Sequence, residues 1–116
     1  MKVIIAGSRD IKGPTWWVIK AIEASGFDIK EVVSGTARGI DTHGELWAKQ
    51  HNKRITRFPA DWDTYGKSAG YKRNEEMADY ADALIAVWDG VSKGTKHMID
   101  IATKKGLKVF VYEPTT

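Results

Sequence analysis

The chain has 116 residues, 42% of them hydrophobic and 28% charged, with a formal net charge of +3. That length supports one domain with a buried core, and no apolar run approaches the roughly 20 residues of a membrane span. The absence of cysteine excludes disulfides and thiolate-bound metals, and the mild, dispersed positive charge permits an anionic ligand but falls short of the clustered basic residues of a nucleic-acid-coating protein.

Residues 2–6 are a β-rich apolar run ending in Gly7-Ser8-Arg9. Continuous apolarity over that length suits a strand buried on both faces, as in a parallel sheet. The run is too short for a signal peptide and lacks its cleavage site, so a cytoplasmic location is expected. Gly7, Ser8 and Arg9 then stand at the strand's carboxyl end, where open α/β sheets bind ligands. Arg9 is a candidate phosphate contact. Gly13 breaks the chain, and Pro14 suits the first turn of a helix over residues 14–25. Trp16 and Trp17 are expected to pack. Gly26 suits the helix end.

Residues 29–33 form the second strand. It feeds Val33-Ser34-Gly35-Thr36-Ala37-Arg38-Gly39-Ile40-Asp41, a strand, a glycine loop and a helix start. Gly35 and Gly39 let a ligand approach the backbone. Ser34 and Thr36 offer hydroxyls, Arg38 a planar cation suited to phosphate, and the following helix start a positive dipole end. Asp41 either caps that helix or takes a ribose hydroxyl. The helix runs over residues 41–50, with His43 exposed or capping.

Residues 54–58 alternate and read as a third strand. Residues 59–74 are long, polar and aromatic, and such a stretch inside a small domain tends to be functional. Trp62, Tyr65 and Tyr71 are placed to stack on a base, and Lys67, Lys72 and Arg73 to hold phosphates. A helix is expected over residues 73–80 and a fourth strand over 81–87. Then comes Trp88-Asp89-Gly90-Val91-Ser92-Lys93-Gly94-Thr95-Lys96, a second strand–glycine loop–helix signature with hydroxyls and cations. Neither loop has the ordered spacing of a Walker A or a GxGxxG fingerprint. A helix over residues 97–105, a strand over 107–112 and a tail over 113–116 complete the chain.

Strands and helices alternate throughout. The expected fold is α/β: a three-layer Rossmann-like arrangement of about five mainly parallel strands with helices on both faces, forming one domain over residues 1–116. Two glycine loops at the carboxyl ends of strands of one sheet converge on one crevice.

Several motifs carry a family likeness. They are Gly7-Ser8-Arg9, the loop from Val33 to Asp41, Ala60-Asp61-Trp62 with Tyr65-Gly66 and Ala69-Gly70, Arg73-Asn74 with Met77, and Trp88-Asp89-Gly90 with Ser92-Lys93-Gly94-Thr95. Together they resemble the SLOG superfamily, in particular its YspA-like, cpYpsA-related branch. The resemblance covers nearly the whole chain. It implies a modified Rossmann-like fold binding nucleotides or nucleotide-derived ligands, with Ser34, Gly35, Arg38, Gly39, Arg73, Gly94 and Thr95 at phosphate or ribose. The run from Ser34 to Asp41 is also similar to the Rossmann-like core of DprA-type proteins, which bind single-stranded DNA. LOG relatives are phosphoribohydrolases, with a catalytic Glu three residues after the Thr of their Gly-Thr motif. Here that position is Met98, and Met neither stabilises an oxocarbenium ion nor activates water. Asp41, Asp61, Asp89 and Glu76 are the carboxylates near enough in the expected fold to take that role, so no catalytic residue is assigned.

Three readings compete. The first is a binding module, sensor or sponge, for a nucleotide or an NAD- or ADP-ribose-type metabolite, using Gly7, Ser8, Arg9, Ser34, Gly35, Thr36, Arg38, Gly39, Asp41, Trp62, Arg73, Asn74, Trp88, Ser92, Lys93, Gly94 and Thr95. The second is an N-glycosidic hydrolase of nucleoside monophosphates. The third, disfavoured by the charge, is a single-stranded nucleic-acid binder. No cofactor, metal or membrane partner is expected, and a homo-oligomer is.

Overall fold

The computed structural model describes residues 1–114, so Thr115 and Thr116 of the expected tail lie outside the described residues. Strand β1 (Lys2–Gly7) is central, and its side chains alternate between two cores. Val3 and Ile5 face one layer while Ile4 and Ala6 face the other. Val3, Ile4 and Ile5 are all fully buried. Burying each such side chain contributes about 1.5–3 kcal/mol of transfer free energy. That explains why the run is apolar without a period of two.

Four more strands lie parallel to it: β2 (Glu31–Ser34), β3 (Arg54–Arg57), β4 (Ala83–Val87) and β5 (Lys108–Tyr112), in the order β3-β2-β1-β4-β5. Helices α1 (Pro14–Ser25) and α2 (Ile40–Gln50) cover one face, where Val18, Ala21, Ile40 and Ala48 pack on the sheet. On the other face α4 (Ala69–Tyr80) and α5 (Lys93–Lys104) bury Met77, Ala78, Met98 and Ala102. The expected three-layer Rossmann-like fold is therefore present. Strand order reverses between β1 and β4, which opens a crevice at the carboxyl edge there. No helix among the described residues is long and apolar enough to cross a membrane.

Three local expectations are corrected. Residues 59–74 are not an irregular loop. They hold a single-turn helix, α3 (Trp62–Tyr65), a 3-10 turn (Gly66–Ser68) and the first turn of α4. Asp61 nucleates α3 by accepting the Thr64 N–H at 3.1 Å. The last helix starts at Lys93 rather than residue 97, because Asp89 Oδ1 accepts the N–H groups of Val91 (2.8 Å) and Ser92 (2.9 Å) and turns the chain early. The two tryptophans also part company. Trp17 packs, with its Nε1 donating to the Lys12 carbonyl at 3.0 Å. Trp16 is 57% exposed, with the Lys20 ammonium 4.6 Å over its ring.

Candidate functional site

The crevice at the strand-order reversal encloses about 220 Å³. Its walls come from five parts of the chain. The end of β1 supplies Gly7 and Arg9, the turn into α2 supplies Ala37 and Asp41, α4 supplies Arg73 and Asn74, and the first turn of α5 supplies Gly94 and Thr95. Met77 and Met98 add apolar surface, and Trp62, Lys67 and Tyr71 come from the segment leading into and through the start of α4.

Gly7 is required by packing. A Cβ there would stand 2.3 Å from the Val87 carbonyl oxygen and 2.8 Å from the Ile40 side chain. Only a bare backbone lets β1 end flush against β4 and α2. Ser8 is buried and does not open into the crevice. It holds the two loops together, donating its N–H to the Val87 carbonyl at 3.1 Å and accepting the Asp89 N–H on Oγ at 3.2 Å. Arg9 is exposed, and none of the ion pairs among the described residues involves it.

The first glycine loop contributes backbone and one carboxylate rather than hydroxyls. Ser34 is fully buried, donates to Glu45 Oε2 at 2.7 Å and accepts the Thr36 N–H at 3.1 Å. Glu45 in turn accepts Arg57 Nε at 2.8 Å. Thr36 adopts φ 64°, a left-handed conformation costly for a β-branched residue. It does not line the crevice. Arg38 turns away to pair with Asp10 at 2.9 Å on the exposed surface. Gly39 has φ 79°, and a side chain there would meet the Arg9 carbonyl at 2.6 Å.

Asp41 and Arg73 carry the electrostatics. Asp41 is 5% exposed, and Oδ2 accepts the Ala37 N–H at 3.4 Å. Burial pushes its carboxyl up to about 6, against the opposing pull of Arg73, the Ala37 and Gly7 N–H groups and Arg9. Burial lowers the Arg73 guanidinium from its ordinary value, Arg9 lowers it further, and Asp41 opposes both. Arg73 Nη1 donates to the Gly35 carbonyl, and Nε donates to Asn74 Oδ1 at 3.1 Å. Asn74 Nδ2 reaches the Gly94 carbonyl at 3.3 Å and His97 Nδ1 at 3.1 Å.

The second glycine loop reaches the crevice as a helix start. Gly94 and Thr95 lie in the first turn of α5, where backbone N–H groups lack intrahelical partners. No side chain caps them, since the Ser92 hydroxyl pairs with Thr95 Oγ1 at 3.1 Å. A Cβ on Gly94 would meet nothing within 4 Å. Trp88 braces the loop by donating from Nε1 to the Ser92 carbonyl at 3.0 Å, and Lys93 is exposed.

Of the expected site residues, Gly7, Arg9, Asp41, Trp62, Arg73, Asn74, Gly94 and Thr95 line one crevice. Ser8, Ser34, Gly35, Thr36, Arg38, Gly39, Trp88, Ser92 and Lys93 stand behind or beside it. Among the acids considered, only Asp41 lines it. Asp61 and Asp89 cap turns, and the two N–H bonds to Asp89 hold its carboxyl below the usual range. Glu76 is exposed on α4. His97 escaped the sequence reading because its partners lie across a helix pair, with no local motif to mark it.

Comparison with known proteins bears on the family and the fold. A family model described as YspA, cpYpsA-related SLOG family matches residues 1–65. The Gene 61 protein of Mycobacterium phage D29 is 38% identical over an alignment 117 positions long that covers 93% of each chain. The X-ray structure of DNA processing protein A (DprA) from Streptococcus pneumoniae matches with a TM-score of 0.78 at 23% identity, over 99% of this chain and 50% of that one. This chain thus spans half the length of that protein, and the likeness is one of fold.

Proposed function

This chain belongs to the YspA, cpYpsA-related SLOG family, and we propose that it binds a nucleotide or nucleotide-derived ligand as a sensor or sponge. One observation carries the reading: the ends of β1 and β4 and the turn after β2 meet at the strand-order reversal around Arg9, Arg73 and the uncapped start of α5. The ligand's phosphate takes the free N–H groups of that first turn, where the helix dipole favours an anion, and Arg9 adds a charge-assisted contact. The base lies against Trp62 and Tyr71. A thermal-shift panel of nucleoside mono- and diphosphates, ADP-ribose and NAD tests this. Ligand at 100 times its dissociation constant adds about 2.7 kcal/mol, and a flat response across the panel overturns the reading.

A second reading, cleavage of an N-glycosidic bond, is favoured by Asp41. A carboxyl raised to about 6 inside the crevice keeps its proton to a higher pH than an ordinary carboxylate, the direction that suits a group protonating a leaving base. Free base released from a nucleoside monophosphate, and its loss in Asp41→Asn, would put this reading first. Binding of single-stranded nucleic acid is the lesser alternative, distinguished by a steep salt dependence. We read the chain as a single cytoplasmic domain. The apolar surface left by Trp16 and Ile19 on α1 and Leu46 on α2 supports a homo-oligomer.

A further inference from the structure

The bonds joining Arg73, Asn74 and His97 have a forced direction. Arg73 Nε only donates, so the Asn74 atom 3.1 Å from it is the carbonyl oxygen Oδ1. The other end of that amide is then Nδ2, a donor, which meets the Gly94 carbonyl at 3.3 Å and His97 Nδ1 at 3.1 Å. His97 Nδ1 must accept. A neutral ring that accepts on Nδ1 carries its proton on Nε2. Asn74 is 5% exposed, so water does not substitute freely for either partner.

We propose that Asn74 is a positioning residue that couples Arg73 to the first turn of α5, and that both of its bonds to α5 are made only while His97 is the neutral Nε2–H tautomer. The proposal deepens the ligand-binding reading, because the two parts Asn74 joins are the guanidinium and the helix start assigned to the ligand. A second proton on His97 turns Nδ1 into a donor facing the Nδ2 donor. The pair then separates, and the restraint of Asn74 on α5 weakens.

The groups around His97 leave this control to Asn74. From α4 it meets Asn74 and the Tyr71 ring, whose centroid lies 4.4 Å from its own, with Arg73 behind Asn74. On its own helix Lys93 lies one turn earlier, and Lys96 and Asp100 pair with each other at 2.7 Å. No carboxylate oxygen is within 4 Å of a His97 ring nitrogen among the described residues.

Long-range ¹H–¹⁵N spectra of the imidazoles in the free full chain decide the matter, with His43, His51 and His97 assigned through His→Gln variants. At pH 7.5 His97 is expected as the Nε2–H tautomer. In Asn74→Asp the carboxylate accepts from both Arg73 and His97, so the protonated nitrogen becomes Nδ1. A wild-type ring that samples both tautomers, or one unchanged by Asn74→Asp, overturns the proposal. Circular dichroism establishes that the variant is folded, and Asn74→Ala, which removes the donor to His97 Nδ1, replaces it if it is not. The Ala variant's ring is then expected to sample both tautomers, and a ring still held as Nε2–H overturns the proposal.

AMP titrations extend the test to binding. Asp41 and the AMP phosphate change charge over pH 7.5 to 5.5 in every variant, so the readout is the difference from His97→Gln, which cannot charge: the wild type is expected to lose about tenfold more affinity than that variant, the scale of one hydrogen bond. Equal losses in both overturn the coupling. No AMP binding at either pH counts against the ligand reading alone, since the spectra test the clamp without ligand.

Discussion

Arg73 and Asp41 are held on two sides of one glycine: a side chain on Gly35 would stand 2.7 Å from Arg73 Nη1 and 2.9 Å from Asp41 Oδ2. The bare backbone lets a guanidinium from α4 and a carboxylate from α2 approach the same glycine. Gly35→Ala is therefore expected to displace both groups. Ligand affinity should fall roughly 10- to 100-fold, the range for losing a charge-assisted hydrogen bond. Arg73→Lys should fall nearly as far, because a lysine keeps the charge without the fork. Calorimetric titration with the best ligand of the panel checks both, and full affinity in either variant contradicts the assignment.

The raised carboxyl of Asp41 makes a signed statement about stability. The folded chain holds this proton more tightly, up to about 6 against an ordinary 3.8, so ionisation works against folding. The stability contribution is therefore intact below pH 4 and is lost as pH rises through 6, with an upper bound of roughly 3 kcal/mol. Asp41→Asn removes that loss. Its melting temperature relative to wild type should rise between pH 4 and pH 7.5; a difference independent of pH would contradict the burial argument.

Gly7→Ala is expected to destabilise by about 1–3 kcal/mol, the usual range for overpacking, and more if the strand cannot shift. The obstacle is the Val87 carbonyl 2.3 Å away, which is backbone and belongs to a strand paired with β1. Urea denaturation should show a lower midpoint with an unchanged m-value.

Trp62→Ala should separate binding from folding. The side chain is 53% exposed, so its loss should change stability by less than about 0.5 kcal/mol. Affinity for a base-bearing ligand should drop by roughly 1–3 kcal/mol, while competition by inorganic phosphate stays unchanged. A parallel loss for phosphate would place Trp62 in the anion site instead.

The sheet was legible because burial on both faces leaves a plain mark: Val3, Ile4 and Ile5 have no polar alternation to misread. The convergence of the loops followed from topology, since strands of one parallel sheet end at one edge. What stayed hidden was the way side chains are used. Ser34, Thr36 and Arg38 have the chemistry of a phosphate cradle, yet Ser34 is taken by Glu45 and Arg38 by Asp10, partners 11 and 28 residues away. The short helix at Trp62 and the helix start at Lys93 were masked by polar, glycine-bearing sequence whose turns depend on one carboxylate each, Asp61 and Asp89. Asn74 was found as a motif residue, but its coupling to His97 depends on the packing of α4 against α5.

Helix α4 carries Gly70, Arg73, Asn74 and Met77 along one inner face of the crevice. Depth and polarity are thus geared to a single rigid rod. A tilt that deepened the crevice at Met77 would also swing the guanidinium of Arg73, so size and charge preferences cannot drift independently. Substitution is freest at Trp62 and Lys67, which lie ahead of that rod and can change without moving it.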